Sequence, residues 1–489
     1  MAAFPQKSPL EEKGGTMKTT ENVSNKMGSV PMNRLVFTMG VPMILSMVLQ
    51  AFYNIVDSYF VSCMTDPAVP NLGDYAVNAL TLAFPIQMLI VAIGVGTGVG
   101  TNALLSRNLG EGNREKSSRI SGNSIFLSCC TYAVFLLFGL LGVGVYIRSQ
   151  TSDALVIELA SSYLRICSVL SFGCVVYMIY EKLLQATGCT MLATIAQMSG
   201  VVVNIILDPI MIFGWFGCPA MGVDGAAYAT VIGQFVSLML GFLFHTAANR
   251  KYFDTSLRYL APQRSIIQEI YKIGIPAIIM QALMSFMTYG VNIVLGSLST
   301  AAVTAYGIYY KIQQFVFFAA FGMNNAMIPI ISYNFGRRDK MRVDSGIRYG
   351  MLYTLVILGA GAVALQVFAH QLIGIFAVSE EARQLCIYAI RIITPGYLFA
   401  GANIAFQGIL QAFGCGVQSL LLSLIRLIVV ALPLAWLLTR LPNAELLVWS
   451  AFPIAEGAAL VCALVLMRRV GRRVAAFLAS GAEQTAAME

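Results

Sequence analysis

The sequence predicts an all-α membrane protein with twelve transmembrane helices in two parallel six-helix repeats. Three observations carry that prediction. Of 489 residues, 58% are hydrophobic and 11% charged, far from the roughly 25% charged residues of a soluble domain. Apolar runs of about 20 residues or more, enough to cross about 30 Å of hydrocarbon as a helix, recur along nearly the whole chain. Finally, a short text is spelled twice. Asn108-Leu109-Gly110 returns as Asn334-Phe335-Gly336, and Leu184-Gln185-Ala186-Thr187-Gly188-Cys189 returns as Leu410-Gln411-Ala412-Phe413-Gly414-Cys415, both at one offset (334 − 108 = 410 − 184). Arg165-Ile166 meets Arg391-Ile392 at the same offset. A period this long marks a duplicated domain rather than a solenoid. A transmembrane β-barrel would show strands of about ten residues with alternating polarity, which these evenly apolar runs lack.

Residues 1–32 are polar, with Lys7, Lys13, Lys18 and Lys26 set against Glu11, Glu12 and Glu21, and show no apolar targeting region. They read as a mobile cytoplasmic tail. A first lobe follows over 33–247, with spans near 35–62, 76–105, 120–146, 157–184, 191–213 and 226–247. A linker at 248–265 contains Pro262 and four basic residues. The second lobe, 266–470, has spans near 268–297, 302–332, 348–369, 385–411, 416–438 and 445–467, before a C-terminal tail at 471–489. Gly40-Val41-Pro42 opening span one is answered by Gly274-Ile275-Pro276 in span seven.

The net charge of +8 is not spread as a nucleic-acid surface would need. Arg107, Arg114, Lys116 and Arg119, then Arg250, Lys251, Arg258 and Arg264, then Arg337, Arg338, Lys340 and Arg342, then Arg468, Arg469, Arg472 and Arg473 all fall in loops of one parity. The positive-inside rule therefore places both termini in the cytoplasm. Each lobe begins inside, so the repeats are parallel and a cavity is expected between them. Ten cysteines without CxxC spacing, and only His245 and His370, support neither a disulfide framework, a zinc site nor a histidine-based enzyme. No cofactor is expected.

An ionisable side chain inside a membrane helix costs roughly 2.5 to 3.5 kcal/mol on insertion scales. Helical spacing stacks Gln50, Tyr53, Asn54 and Asp57 on one face of span one, a stripe that cannot face lipid. In span five, Asn204 and Asp208 share a face, and Pro209 removes a backbone donor. Counting at about 1.5 Å per residue, Asp57, Asp208 and Thr230 reach the same level of the outer half. Such oxygens suit a hard cation or a proton. Two neighbouring carboxylates in a low dielectric cannot both comfortably stay charged unless a cation intervenes.

The second lobe does not duplicate this chemistry. Thr230 meets Glu456 at the repeat offset, and Asp208 meets Leu434, or Leu432 if Pro209 is matched to Pro433. Arg426 and Glu456 read as a structural ion pair; Glu181, Lys182 and Lys311 read as solvated or snorkelling groups nearer span ends. Gly94, Gly96, Gly98 and Gly100 do not make a nucleotide-binding loop and read as helix packing. Met280, Met284, Met287 and Tyr289 in span seven are the group most suited to an adaptable pocket.

Taken in order, Gly40-Val41-Pro42, Val56-Asp57-Ser58-Tyr59-Phe60-Val61, Ser106-Arg107-Asn108-Leu109-Gly110, Leu184-Gln185-Ala186-Thr187-Gly188, Leu207-Asp208-Pro209 and Tyr333-Asn334-Phe335-Gly336 resemble the multidrug and toxic compound extrusion (MATE) transporters. The resemblance covers about residues 33–470 and is nearest the DinF-like branch. It implies two six-helix lobes around a central cavity and secondary active export of amphipathic organic cations in exchange for Na⁺ or H⁺, by a monomer. It also implies that Asp57, Asn204, Asp208 and Thr230 are cation ligands with Gln50 nearby, and a setting in the bacterial inner membrane; Tyr53, Asn54, Gln281, Met284 and Met287 are the residues expected to line a substrate cavity. The NorM-like branch instead uses acids in spans seven and ten; here span seven offers Gln281 and span ten no acid. Cys189 stands where the family often has an acid. A flippase for a lipid-linked glycan precursor is the alternative, but it calls for basic residues in its cavity and usually fourteen spans.

Overall fold

The computed structural model describes residues 25–65, 72–374, 376 and 379–486, with the side chains of Asn54, Ile55, Ser58, Leu257 and 480–486 outside that description. The expectation for the tail up to residue 24 therefore lies outside the described residues. The described chain is helical throughout, without a strand. Its spans are α1 (Met32–Ser62), α2 (Leu72–Gly110), α3 (Arg114–Arg148), α4 (Ala154–Val169 with Phe172–Ala186), α5 (Thr190–Phe213), α6 (Val223–Asn249), α7 (Arg264–Gly296), α8 (Thr300–Gly336), α9 (Lys340–Gly374), α10 (Glu380–Ala412), α11 (Gly416–Leu438) and α12 (Ala451–Ala486). Eleven of these are singly long and apolar enough to cross a membrane; the twelfth, α4, is a pair bent by 45°. At that bend the Tyr132 hydroxyl donates to the Val169 carbonyl at 3.2 Å, so an acceptor freed by the break is satisfied without water.

Several helices outrun their apolar cores: α2 continues to Gly110 and α8 to Gly336, carrying the repeated Asn-x-Gly text to their ends. There the repeat becomes a repeat of bonds. The Ser106 hydroxyl donates to the Ala186 carbonyl at 3.2 Å, and Ser332 to Ala412 at 3.0 Å. Asn108 Nδ2 reaches the Leu104 carbonyl and Asn334 Nδ2 the Ile330 carbonyl, each at 2.8 Å. After α4 and α10 the chain turns through Gly188 (φ +83°) and Gly414 (φ +76°), a left-handed conformation that favours glycine. Every one of these pairs keeps the offset of the repeated text.

The two six-helix sets meet through α1 against α8 and α2 against α7, with α2 also on α8. Glycine permits the approach. A Cβ at Gly110 would overlap the Tyr333 carbonyl oxygen, and one at Gly336 would overlap that of Arg107. The glycine run of α2 works on two sides. Gly96 and Gly100 admit the α7 backbone at Gly274 and Ile270, while Gly94 and Gly98 admit Met178 and Lys182 of α4. Small residues at such spacing let helices close on one another in lipid, where apolar burial alone gives no drive.

The end of the N-terminal tail departs from expectation. Residues 25–30 are docked: Lys26–Ser29 form a helical turn, and Met27 is fully buried. The Met27 carbonyl accepts from Asn334 Nδ2 (3.1 Å) and Arg342 Nη2 (2.9 Å), and the Gly28 carbonyl accepts from Arg337 Nη1 (3.0 Å). The composition of this segment is polar, but its backbone acceptors face arginines that the sequence assigns to another loop.

Gly110→Ala and Gly336→Ala should each cost about 1–3 kcal/mol by overpacking, read as a lower melting midpoint of the purified protein. Gly307→Ala, where nothing lies within 4 Å of the added carbon, should leave the midpoint unchanged or raise it slightly.

Candidate functional site

The first six helices converge on a buried polar cluster. Asp57 on α1, Asn204 and Asp208 on α5 and Thr230 on α6 are all buried, Asp208 completely. Asn204 holds three of them together: its Nδ2 donates to Asp208 Oδ1 and to Thr230 Oγ1, each at 3.3 Å. The spacing explains this, because Asn204 and Asp208 are one turn apart and α6 packs along α5. Pro209 lies inside α5 and cannot return an N–H to the Ile205 carbonyl. Asp57 and Asp208 lie within electrostatic reach of one another, and of Tyr53.

Three oxygens in this cluster have no hydrogen-bond partner among the described residues: Asp57 Oδ1, Asn204 Oδ1 and Asp208 Oδ2. A buried acceptor without a donor costs about 1–3 kcal/mol, more when charged, and in lipid nothing outside the protein supplies the donor. Acceptors on two carboxyls and an amide, with the Thr230 hydroxyl adjoining, form a donor-poor nest for a small hard cation or for protons. Among the described residues no three His, Cys, Asp or Glu side chains converge as a metal cluster. The set is therefore two carboxyls completed by neutral oxygens.

The remaining residues singled out from sequence are placed as follows. Gln50 lies two turns along α1 from Asp57, where its Oε1 accepts from Gln197 Nε2 at 3.3 Å, and Ser46 donates to Gln197. The Asn54 side chain lies outside the described residues. Gln281 is half-buried on α7, whereas Met284 and Met287 line a cavity inside the second lobe. The sequence reading missed Gln87 and Tyr163, whose side chains are bonded at 3.2 Å. Tyr163 and Cys167 also lie within electrostatic reach of Asp57. A glutamine in the middle of span two was the available signal.

Glu181 and Lys182 correct an expectation. They are buried rather than solvated: Lys182 Nζ sits 3.0 Å from Gln185 Oε1 and 3.7 Å from Glu181 Oε1, and Gln185 Nε2 donates back to Glu181 at 2.6 Å. The second half of α4 runs between α2, α3 and α6, so a residue near its end still lies inside the bundle. In the second lobe, Arg426 Nε donates to Glu456 Oε1 at 2.5 Å, and Asn403 Nδ2 donates to Glu456 Oε2 at 2.8 Å. This is the ion pair expected from sequence.

The MatE family profile matches residues 42–210 and 276–437. The chain is 26% identical over 442 residues to the multidrug export protein MepA of Staphylococcus aureus, covering 89% of this chain and 93% of that protein. It is 27% identical over 427 residues to MepA of Staphylococcus saprophyticus, covering 87% and 91%. In fold it is similar to a multidrug resistance MATE family transporter of the MOP superfamily in its outward-facing conformation (TM-score 0.85, 24% identity, 94% of this chain and 99% of that one). A MOP superfamily transporter from Pyrococcus furiosus gives a TM-score of 0.83 at 25% identity, with the same coverage.

Asn204→Leu removes the donor shared by Asp208 and Thr230 and should destabilise the purified protein by about 1–3 kcal/mol, measured as a fall in melting midpoint. Gln50→Leu, at a half-buried position bonded elsewhere, should lower it less.

Proposed function

The chain belongs to the MatE family, and on that premise we propose that it is a multidrug exporter driving amphipathic organic cations outward in exchange for Na⁺ or H⁺. The observation that carries this reading is the set of three unpartnered oxygens on Asp57, Asn204 and Asp208. The names of the MepA relatives support multidrug export.

The exchange follows from electrostatics and from the joint between the lobes. With Asp57 and Asp208 close together in a low dielectric, the cluster favours uptake of a cation or protons. Its ligands span α1, α5 and α6, and α1 is also a main contact of the second lobe through α8. Binding that draws these three helices together therefore acts on the helix at the joint. Coupling needs only that the ion and the drug prefer different lobe arrangements. The basic loops support a cytoplasmic setting for the Arg107 and Arg337 face, with the coupling ion taken from the opposite side of the bacterial inner membrane. Nothing in this scheme requires a partner subunit.

A flippase for a lipid-linked glycan is not favoured. A pyrophosphate carries several charges and calls for a cluster of unpaired cations, whereas the buried cations Lys182 and Arg426 lie apart in different lobes, each beside a glutamate.

The test is ethidium efflux from proteoliposomes driven first by a Na⁺ and then by a H⁺ gradient. Asp57→Asn and Asp208→Asn should each reduce gradient-driven efflux about tenfold or more, equivalent to about 1.4 kcal/mol of lost coupling. Undiminished efflux in both variants would remove the coupling assignment, and the gradient that drives the wild type identifies the ion.

A further inference from the structure

The second lobe holds a cavity of about 60 Å³ that the exchange scheme does not use. Its lining includes Tyr306, Tyr309, Tyr310, Tyr397, Gln313 and Arg426. Arg426 sits in a π-helical turn, Ile425–Val429, that interrupts α11; such widened turns recur at functional sites. The side chain is only 7% exposed and is bonded on one edge only, by Nε to Glu456. Among the described residues its two terminal nitrogens make no hydrogen bond to the protein. The terminal nitrogens of this largely buried guanidinium are therefore free to donate to a bound acceptor.

Glu456 does not take them up: it receives Arg426 Nε on one oxygen and Asn403 on the other, with no hydrogen bond from the terminal nitrogens among the described residues. Apolar side chains and Glu456 complete much of the lining, and further donors stand beside Arg426. The Tyr309 and Tyr397 hydroxyls stand 3.2 Å apart, so one hydrogen bond joins them and one of their two hydrogens is left over. Gln313 adds an amide. A cavity of carboxylate size, walled by a two-pronged cation and hydroxyl donors, matches a planar group with two acceptor oxygens.

We propose that Arg426, with the tyrosines and Gln313 around it, forms a carboxylate-binding site in the second lobe, separate from the Asp57–Asp208 cluster. The ligand is either a small free monocarboxylate or the carboxylate of a zwitterionic aromatic drug. In the second case the site selects among exported compounds, a role that rests on the export reading above; binding itself does not.

The experiment is a melting-midpoint titration of the purified full-length protein at constant ionic strength, without any ion gradient. The probes are acetate against its neutral isostere acetamide, and norfloxacin against its methyl ester. Since a ligand of the native state raises the midpoint as its concentration passes Kd, acetate or norfloxacin should raise it while acetamide and the ester do not. The shift should persist in Asp57→Asn and disappear in the double variant Arg426→Gln, Glu456→Gln, which removes both charges together and leaves no unpaired ion. A shift with acetate alone assigns the site to free monocarboxylates, and one with norfloxacin but not its ester assigns it to the drug. No carboxylate-dependent shift in the wild type, or an equal shift in the double variant, overturns the proposal. Loss of ethidium efflux in Asp57→Asn with an intact acetate shift would leave both readings standing; a normal efflux there would sink the coupling assignment alone.

Discussion

The close approach of two backbones at the basic face is the constraint on which the rest of this structure depends. Gly110 lies against the Tyr333 carbonyl and Gly336 against that of Arg107, so the repeated text is also the contact between the repeats. In water such a joint would be closed by apolar burial. In lipid that drive is missing, and what remains is dense packing of small residues with internally satisfied backbones. Once these glycines meet, α2 must run along α7 and α1 along α8. The inner ends of four helices are then fixed, and the polar residues further along α1 are carried to a common level with those of α5 and α6.

On this symmetric frame the chemistry is asymmetric. Thr230 and Glu456 are equivalents under the repeat, yet their surroundings differ in charge balance. In the first lobe the acids have neutral companions and keep three acceptors open. In the second, Glu456 is met by a guanidinium and an amide, and the open groups are donors. Duplication accounts for the packing and the turns. Divergence after duplication accounts for one lobe presenting oxygens and the other presenting N–H groups.

What the sequence made legible follows the same division. Spans and turns depend on local patterns, so the twelve runs and the Gly188 and Gly414 turns were readable from composition and repeat. The four clustered residues were legible because each is a polar residue in an apolar run at a spacing that sets its face. Tyr163 was not, since a tyrosine in a membrane helix carries no sign of whether its hydroxyl meets Gln87 or a headgroup. Glu181 and Lys182 were misread because distance along a helix stands in poorly for depth when a bent span passes through the middle of a lobe. The docked turn at Lys26–Ser29 depends on Asn334, Arg337 and Arg342, which belong to the far half of the chain, and no local pattern encodes that meeting.

An alternating transporter also needs a plane along which it can part, and the bonds show where that plane lies. Within each lobe the ties are buried hydrogen bonds such as Ser106 to Ala186 and Ser332 to Ala412, costly to break without water to replace them. Across the lobes the contacts are apolar side chains and close glycine packing, with polar links at the rim: Arg107 stacks on Phe335 and Phe477, and Lys116 pairs with Glu269. Lys116 and Glu269 are both partly exposed, and such pairs are worth about 0–1 kcal/mol. Residues 25–30 bridge the plane, because Asn334, Arg337 and Arg342 of the second lobe bind their carbonyls while Asn25 reaches the Thr187 carbonyl at 3.4 Å and Lys26 and Met27 lie against Gly188 of the first. Separation at this plane exposes packing surfaces and solvated charges while leaving the buried hydrogen bonds within each lobe intact. The lobes can therefore move as units, with α1, α5 and α6 attached to one of them.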